Sequence, residues 1–359
     1  MAPHRLIRLS RLSRSSALLL AIAMPATALA AADCGVPGTM KIKTPDGQST
    51  MQAATRVFAD GSIAVRARLA VNPDGATASY TVGDGGFTYI ANGLDRWQGG
   101  ATRSCQSGGC RADFLQTERQ GFGPGSPAFC VYALEVEPLA AGGSITSCGP
   151  GKAVVGNGLG RPRLGPEVDG MSGQPVKTYV STTSLRHVVD GKPRYLDSAA
   201  LPIAVTPQRD LLGKVAWVGG RGMQPTLALI GDTGPAFGEG SIALHQLLRW
   251  GAVAPQKPGP IPLDQRCGAD ELALREPFRT FPDATGDRCR AGHTATSRAD
   301  VRAYVGIDTP LDFVVLGRAA LLKPVTSVIP SEVSPRALQD AASGYAAQDI
   351  QRMLACLPQ

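Results

Sequence analysis

The sequence predicts a mainly β fold, and three observations carry that expectation. Apolar runs are short and end at Gly, Pro or Asp, which is the punctuation of strands rather than of long helices. Turn formers are abundant, with 43 glycines and 28 prolines, so few stretches can sustain a helix. Eight cysteines, all beyond residue 30 and even in number, suit a chain whose long loops are pinned by disulfides in an oxidising compartment.

In chain order, the first element is a targeting segment. Arg5, Arg8, Arg11 and Arg14, with no acid among them, precede an apolar run over 17–24 and the small-residue signal Ala28-Leu29-Ala30. This pattern predicts a secretory signal peptide over 1–30, cleaved after Ala30 and too short to span a bilayer. Short strands are expected over 63–69, 178–180, 202–205, 215–218, 226–230 and 313–316. A short helix is expected over 241–250. The Pro-rich run at 255–262 has the composition of a linker, but the strand-like Phe313-Val-Val-Leu316 lies beyond it. One domain over 31–330, with insertions at about 94–150 and 255–300, therefore fits better than two. The tail over 331–359 reads as helix. Ser334 is placed to cap it and Pro335 to open its first turn. Leu338, Ala342, Tyr345, Ala346, Ile350 and Met353 follow, with Gly344 weakening the middle.

Cysteine spacing does not fix connectivity. Cys105–Cys110 and Cys267–Cys289 are plausible local loops, and Cys34–Cys356 would tie the ends together; Cys130 and Cys148 remain. No C-x-x-C and no H-E-x-x-H occurs, so neither a metal nor another cofactor is expected.

The formal charge of +7 is partly a property of the signal segment. Four of the 36 basic residues lie there, which leaves 32 against 29 acidic residues. That balance, without a basic cluster interleaved with aromatics, argues against nucleic acid as a partner. No later stretch is long and apolar enough to suggest a membrane span, and a monomer is expected.

Chemistry concentrates in Asp232-Thr-Gly-Pro-Ala-Phe-Gly-Glu239-Gly-Ser241. Two carboxylates stand seven positions apart in a glycine-rich turn between a strand-like and a helix-like run. Glycosidic bonds break through an oxocarbenium-like transition state. One carboxylic acid protonates the leaving oxygen, and a second carboxylate attacks or activates water. Such a pair needs different surroundings for its two members. Asp232 ends an apolar strand, and Glu239 lies between Gly238 and Gly240, whose missing side chains would leave room for a sugar. The alternative reading makes Asp232 a turn residue and Glu239 a helix-approach acid favoured by the helix dipole.

Five collinear blocks resemble the fungal-type chitosanases, glycoside hydrolase family 75. They are Asp74-Gly75 with Tyr80 and Gly86-Phe-Thr-Tyr-Ile-Ala-Asn92-Gly93; Tyr179-Val-Ser-Thr-Thr-Ser-Leu185; Arg194-Tyr-Leu-Asp-Ser198 with Pro202; Leu212-Gly-Lys-Val-Ala-Trp-Val218; and Asp232 to Leu244. The resemblance implies an endo-acting enzyme that cuts a β-1,4 glucosamine polymer with inversion, using Asp232 and Glu239 as its catalytic pair. Family usage makes the Glu the general acid; the residues here leave the two roles open. Inversion requires the carboxyls to stand about 6.5–9.5 Å apart. The active loop between Pro235 and Gly238 is shorter than the family pattern, and the segments over 94–150 and 255–300 have no family counterpart. The expected architecture is a small six-stranded barrel, with double-psi as the candidate topology, carrying long disulfide-pinned loops and a C-terminal helix.

Supporting roles are expected at Asp197, to hold a substrate amino group or orient water, with a turn contact to Arg194 as the alternative. Thr182 and Thr183 would line a cleft, or simply occupy a strand. Tyr89 and Trp97 would stack on sugar faces, or pack in the core. Asp74, Asp84, Asp197 and Asp232 would together make a negative cleft for a polycationic chain. Other chemistries find less support. No G-x-S-x-G surrounds a serine, Gly156 to Gly160 lacks dinucleotide-loop spacing, and His187, His245 and His293 read as structural. The expectation is thus an exported chitosanase-like hydrolase acting on a polysaccharide. The alternatives are the same machinery on another amino-sugar glycan such as peptidoglycan, or a non-catalytic extracellular module that binds glycan or protein.

Overall fold

The computed structural model describes residues 34–44, 49–84, 86, 90, 94–105, 110–169, 174–253, 306–322 and 326–358. The signal segment, Tyr89, His293, the 255–300 insertion and the Cys267–Cys289 pair lie outside the described residues.

The chain opens with three strands, β1 (Val36–Lys43), β2 (Thr50–Val57) and β3 (Ile63–Val71). The segment expected as an insertion follows as β4 (Asp95–Gln98), β5 (Ala101–Ser104), helix α1 (Arg111–Arg119), β6 (Phe129–Tyr132), β7 (Val136–Glu137), β8 (Ser147–Gly149) and β9 (Lys152–Val155). Short ribbons β10 (Arg161–Pro162), β11 (Val168–Asp169), β12 (Pro175–Val176), β13 (Arg186–Val189) and β14 (Lys192–Tyr195) lead back to the main sheet. That sheet continues with β15 (Ile203–Thr206), β16 (Lys214–Gly219), β17 (Thr226–Thr233), β18 (Glu239–Gly240) and, after α2 (Ile242–Trp250), β19 (Ile307–Ala320). The chain ends with β20 (Val328–Ile329), α3 (Pro335–Ala342) and α4 (Ala347–Ala355).

Six strands close into a barrel in the order β3, β18, β15, β17, β16, β19, with β19 returning to pair with β3. Two of its seams are parallel, β15 with β17 and β18 with β3, and the other four are antiparallel. The β1–β2 hairpin extends β3 outward. Strand alternation sorts the side chains. Val65, Ala67, Leu69, Ala216, Val218, Ala228, Ile230, Phe313 and Val315 fill the barrel. Their neighbours Ala64, Val215, Leu229, Val314 and Leu316 face outward and are covered by Leu338, Ile350 and Met353 of α3 and α4. Both faces are therefore apolar, which is why these strands read as short unbroken hydrophobic runs. Residues Asp33–Gln359 cluster as one compact unit.

The sequence reading of a mainly β barrel with a helical C-terminus matches this architecture, with two refinements. The expected tail helix is two helices. Ser334 caps α3 through the Ala337 N–H, Pro335 opens it, and the chain breaks around Gly344 before α4 begins. The segment over 94–150 is not a loop. It forms a five-stranded sheet, β5-β4-β6-β9-β8, with α1 across it and its own core of Phe114, Phe122, Phe129, Val131 and Val155. Phe114 packs edge-on to Phe122 and Phe129 at centroid distances of 6.0 and 5.8 Å. Disulfides Cys105–Cys110 and Cys130–Cys148 sit within this lobe, and Cys34–Cys356 joins the two ends of the unit. Among the described residues no cysteine is free, and no helix is long and apolar enough to cross a membrane.

Candidate active site

Asp232 stands near the end of β17, where the parallel pairing with β15 slips by one residue. Ala204 faces Ile230, whereas Val205 faces Asp232, so Gly231 is the extra residue of a bulge. Bulges of this kind re-aim side chains beside active sites. Asp232 is only 7% exposed. Its Oδ1 accepts three hydrogen bonds, from the Ser184 N–H at 2.8 Å, the Ser184 hydroxyl at 2.7 Å and the Thr233 N–H at 2.8 Å. Burial pushes its pKa up to about 6; the three donors oppose the shift, and the charge of Glu239 adds to it.

Glu239 is carried on β18, which is two residues long. That strand pairs parallel with β3, Glu239 opposite Ala70 and Gly240 opposite Val71, and antiparallel with Ala204 of β15. The short loop before it is tied down. The Phe237 N–H donates to the Lys41 carbonyl at 2.8 Å, and the Phe237 ring stands edge-on to Phe313 at 5.0 Å inside the barrel. The Glu239 carboxylate pairs with Lys43 Nζ at 3.0 Å through Oε1, and Asn72 Nδ2 donates to Oε2 at 3.4 Å. Behind Glu239, Ser241 caps α2 through the Leu244 N–H, and its hydroxyl also joins the Ile203 N–H and the Leu201 carbonyl. His245, fully buried, spans the carbonyls of Ser241 and Leu69 with its two ring nitrogens.

The glycines around Glu239 serve the fold rather than leaving room for a sugar. A Cβ on Gly238 would lie 2.7 Å from the Arg68 carbonyl oxygen, and its φ of +101° disfavours any other residue. A Cβ on Gly240 would lie 2.8 Å from Leu244 and 3.0 Å from Leu69. Gly238→Ala is expected to destabilise the protein by about 1–3 kcal/mol, because both backbone strain and a backbone clash must be relieved. Urea unfolding midpoints measure this, and an unchanged midpoint would refute the close approach of β18 to β3.

A third carboxylate belongs to the site, Asp74, which the sequence reading placed among the acids of a negative cleft but not beside the pair. Asp74 follows directly on β3, in the turn Asn72-Pro73-Asp74-Gly75. Asn72 Oδ1 accepts the Asp74 N–H at 2.8 Å while its Nδ2 touches Glu239, so one side chain bridges both acids. The Tyr80 hydroxyl donates to Asp74 Oδ1 at 2.6 Å. Burial pushes the Asp74 pKa up to about 8. The charges of Asp232 and Glu239 act in the same direction, against the hydrogen bonds from Tyr80 and Asn72. The sequence signal was present in the Asp74-Gly75…Tyr80 block, but nothing in it placed the turn beside β18.

Tyr132, at the end of β6 in the second lobe, is also missed by sequence reasoning. It is 43% exposed, yet desolvation raises its pKa first and the charges of Asp74, Glu239 and Asp95 raise it further. Tyr132 therefore lies within electrostatic reach of Asp74 and Glu239. The next residue, Ala133, holds a left-handed φ of 57°, with its carbonyl accepting from the Thr182 N–H at 2.9 Å and the Ser181 hydroxyl at 3.4 Å.

The other expected residues are distributed differently. Thr182 uses its backbone to hold Ala133. Thr183 is buried, and its hydroxyl donates to the Leu185 carbonyl at 2.6 Å and accepts from the Leu196 N–H at 3.0 Å, which makes it a brace of the strand. Asp197 caps the following turn, Oδ1 accepting the Ala199 N–H at 2.9 Å. Asp84 is fully buried against Arg111 at 2.9 Å. Trp97 is half-buried on β4, opposite Thr102. Among the described residues no three His, Cys, Asp or Glu side chains group as metal ligands. A cavity of about 380 Å³ on the outer face of the barrel, lined by Trp217, Leu227, Leu316, Ala342, Tyr345 and Ile350, contains no acidic side chain. The acids whose charges reach one another gather instead at β17, β18 and the β3 turn. Compared with protein-family models and with curated proteins, the chain matches none.

The raised acids have a consequence for stability. Asp74 and Asp232 hold protons in the folded state at pH values where unfolded carboxylates, titrating near 4, have lost them. At these two groups the folded protein binds more protons, so their contribution to stability is full below about pH 4 and is lost as pH rises towards about 8. Asp74→Asn removes most of that cost. The variant is expected to be more stable than the parent at pH 8 by upwards of about 1.4 kcal/mol, with the gap closing at acid pH. Thermal melts at the two pH values check the sign, and a less stable variant at pH 8 would contradict it.

Proposed function

We propose that this protein is a glycoside hydrolase that cleaves a β-1,4 amino-sugar polymer of the chitosan kind, with Asp232 and Glu239 as its catalytic pair. The observation that carries the reading is that two carboxylates, on the strands flanking β15, sit in opposite surroundings while the charge of Glu239 reaches Asp232. Asp232 is buried with its pKa raised to about 6, and Glu239 is ion-paired to Lys43. Environments that separate two acids in this way assign the roles of acid and base. Asp232 in its protonated form donates to the leaving oxygen, and Glu239 takes a proton from the attacking water. This reverses the assignment usual in the family the sequence resembles. The motif blocks support the substrate class, and the three disulfides suit an exported protein.

Incubation with chitosan, partly acetylated chitosan and peptidoglycan, counting new reducing ends, tests the reading. Turnover of chitosan is expected. Release from peptidoglycan alone would move the substrate to another amino-sugar glycan, and binding without turnover would identify a glycan-binding module.

A further inference from the structure

We propose that Asp74 is the proton donor of this site at neutral pH, a third working carboxylate beside Asp232 and Glu239. The proposal rests on the hydrolase reading and moves the acid role from Asp232 to Asp74 at pH values above about 6, where Asp232 has lost its proton. Three placements carry it. First, the turn bearing Asp74 is locked to β18, since the Asn72 N–H donates to the Gly240 carbonyl at 2.7 Å and the Asn72 side chain bridges Asp74 to Glu239. Second, one segment of chain positions both acids. The Ser181 hydroxyl accepts the Gly75 N–H at 2.8 Å, and Ser184 holds Asp232. Third, Asp74 as a residue keeps partial exposure, and Tyr80 occupies Oδ1 of its carboxyl as a donor. The proton of the neutral carboxyl then belongs on Oδ2.

Among the groups around Asp74 the two other acids favour keeping that proton, and the hydrogen bonds from Tyr80 and Asn72 oppose them. Asp232 on β17 and Glu239 on β18 are acidic, Tyr132 on β6 is a neutral phenol, and Lys43 on β1 is engaged with Glu239. Asp74 loses its proton at about 8 and Asp232 at about 6, so between these values Asp74 is the member still carrying one. In the step proposed, the glycosidic C–O bond breaks and its electron pair goes to the leaving oxygen, which takes the proton from Asp74 Oδ2. Water adds to the anomeric carbon and gives its proton to Glu239. Proton exchange with solvent then restores both groups.

The test is the pH profile of polymer cleavage by the intact protein and Asp74→Asn. Wild type is expected to lose activity through about pH 8, and the variant through about pH 6. At pH 7.5 the variant should be slower by about 30-fold, while at pH 5 the two should agree within about threefold. A dinitrophenyl glycoside, whose leaving group needs no proton, should restore the variant at pH 7.5. Tyr80→Phe removes the donor that steadies the Asp74 carboxylate and should move the wild-type limb upward; it also serves if the Asn variant does not fold. An Asp74→Asn profile superimposable on wild type, or a loss equal at pH 5 and 7.5, overturns the proposal and leaves the hydrolase reading standing. Wild-type protein that cleaves no glycan overturns both.

Discussion

Glu239→Gln, and Asp232→Asn placed on the Asp74→Asn background so that no second acid takes over, are each expected to lower kcat on the polymer by about 10²–10⁴-fold, with little change in KM. The two substitutions remove different things. Gln at position 239 cannot take a proton from water, and it puts a neutral partner in the 3.0 Å contact with Lys43. Asn at position 232 keeps an oxygen to accept the Ser184 and Thr233 donors, so the bulge at the end of β17 survives while the proton is lost. Reducing-end assays below pH 6, where Asp232 carries its proton, give the clearest reading for that residue. Thermal melts run in parallel separate chemistry from folding. Gln at position 239 keeps an oxygen to accept from Lys43 and Asn72, so neither is left without an acceptor and Glu239→Gln should melt close to wild type. If both variants retain wild-type rates, the catalytic assignment fails.

The barrel was legible because its strands are buried on both faces, which turns 226–230, 215–218 and 313–316 into short apolar runs that each end at a glycine. Helix α2 was legible from its cap, Ser241, and α3 from the Ser334-Pro335 start. The second lobe was not. Its strands are two to four residues long, and its core is built from scattered aromatics, Phe114, Phe122 and Phe129, that show no period in sequence. The site was half legible. Asp232 and Glu239 stand on one loop, so proximity in sequence announced them. Asp74 reaches Glu239 only through the parallel pairing of β3 with β18, which brings Asn72 to Glu239 across a separation of 167 residues. Tyr132 reaches the acids only because the inserted sheet folds back towards them, and no local pattern encodes that return.

Removing the Cys34–Cys356 disulfide by a Cys34→Ser, Cys356→Ser double substitution is expected to destabilise the protein by about 2–5 kcal/mol. The cross-link spans 322 residues, so it restrains the unfolded chain over nearly its whole length. In the folded state it fastens the lead-in to β1 to the end of α4. The Arg56 guanidinium donates to the Cys356 carbonyl at 3.1 Å, and Arg66 donates to the Pro358 carbonyl at 2.8 Å. Ile350, Met353 and Leu357 of this segment cover the outer face of the barrel, so a frayed C-terminus would bare Val314 and Leu316. The active loop feels the change only remotely. Lys43 and the Phe237 contact lie at the far end of β1, about 25 Å along an extended strand from Cys34. The expected signature is therefore a large fall in the urea midpoint with kcat within about twofold of wild type at temperatures where the variant is folded. An unchanged midpoint would mean that buried apolar contact alone holds α4 in place. A collapse of kcat in the folded variant would mean that β1 transmits the tie at Cys34 to the ion pair between Lys43 and Glu239.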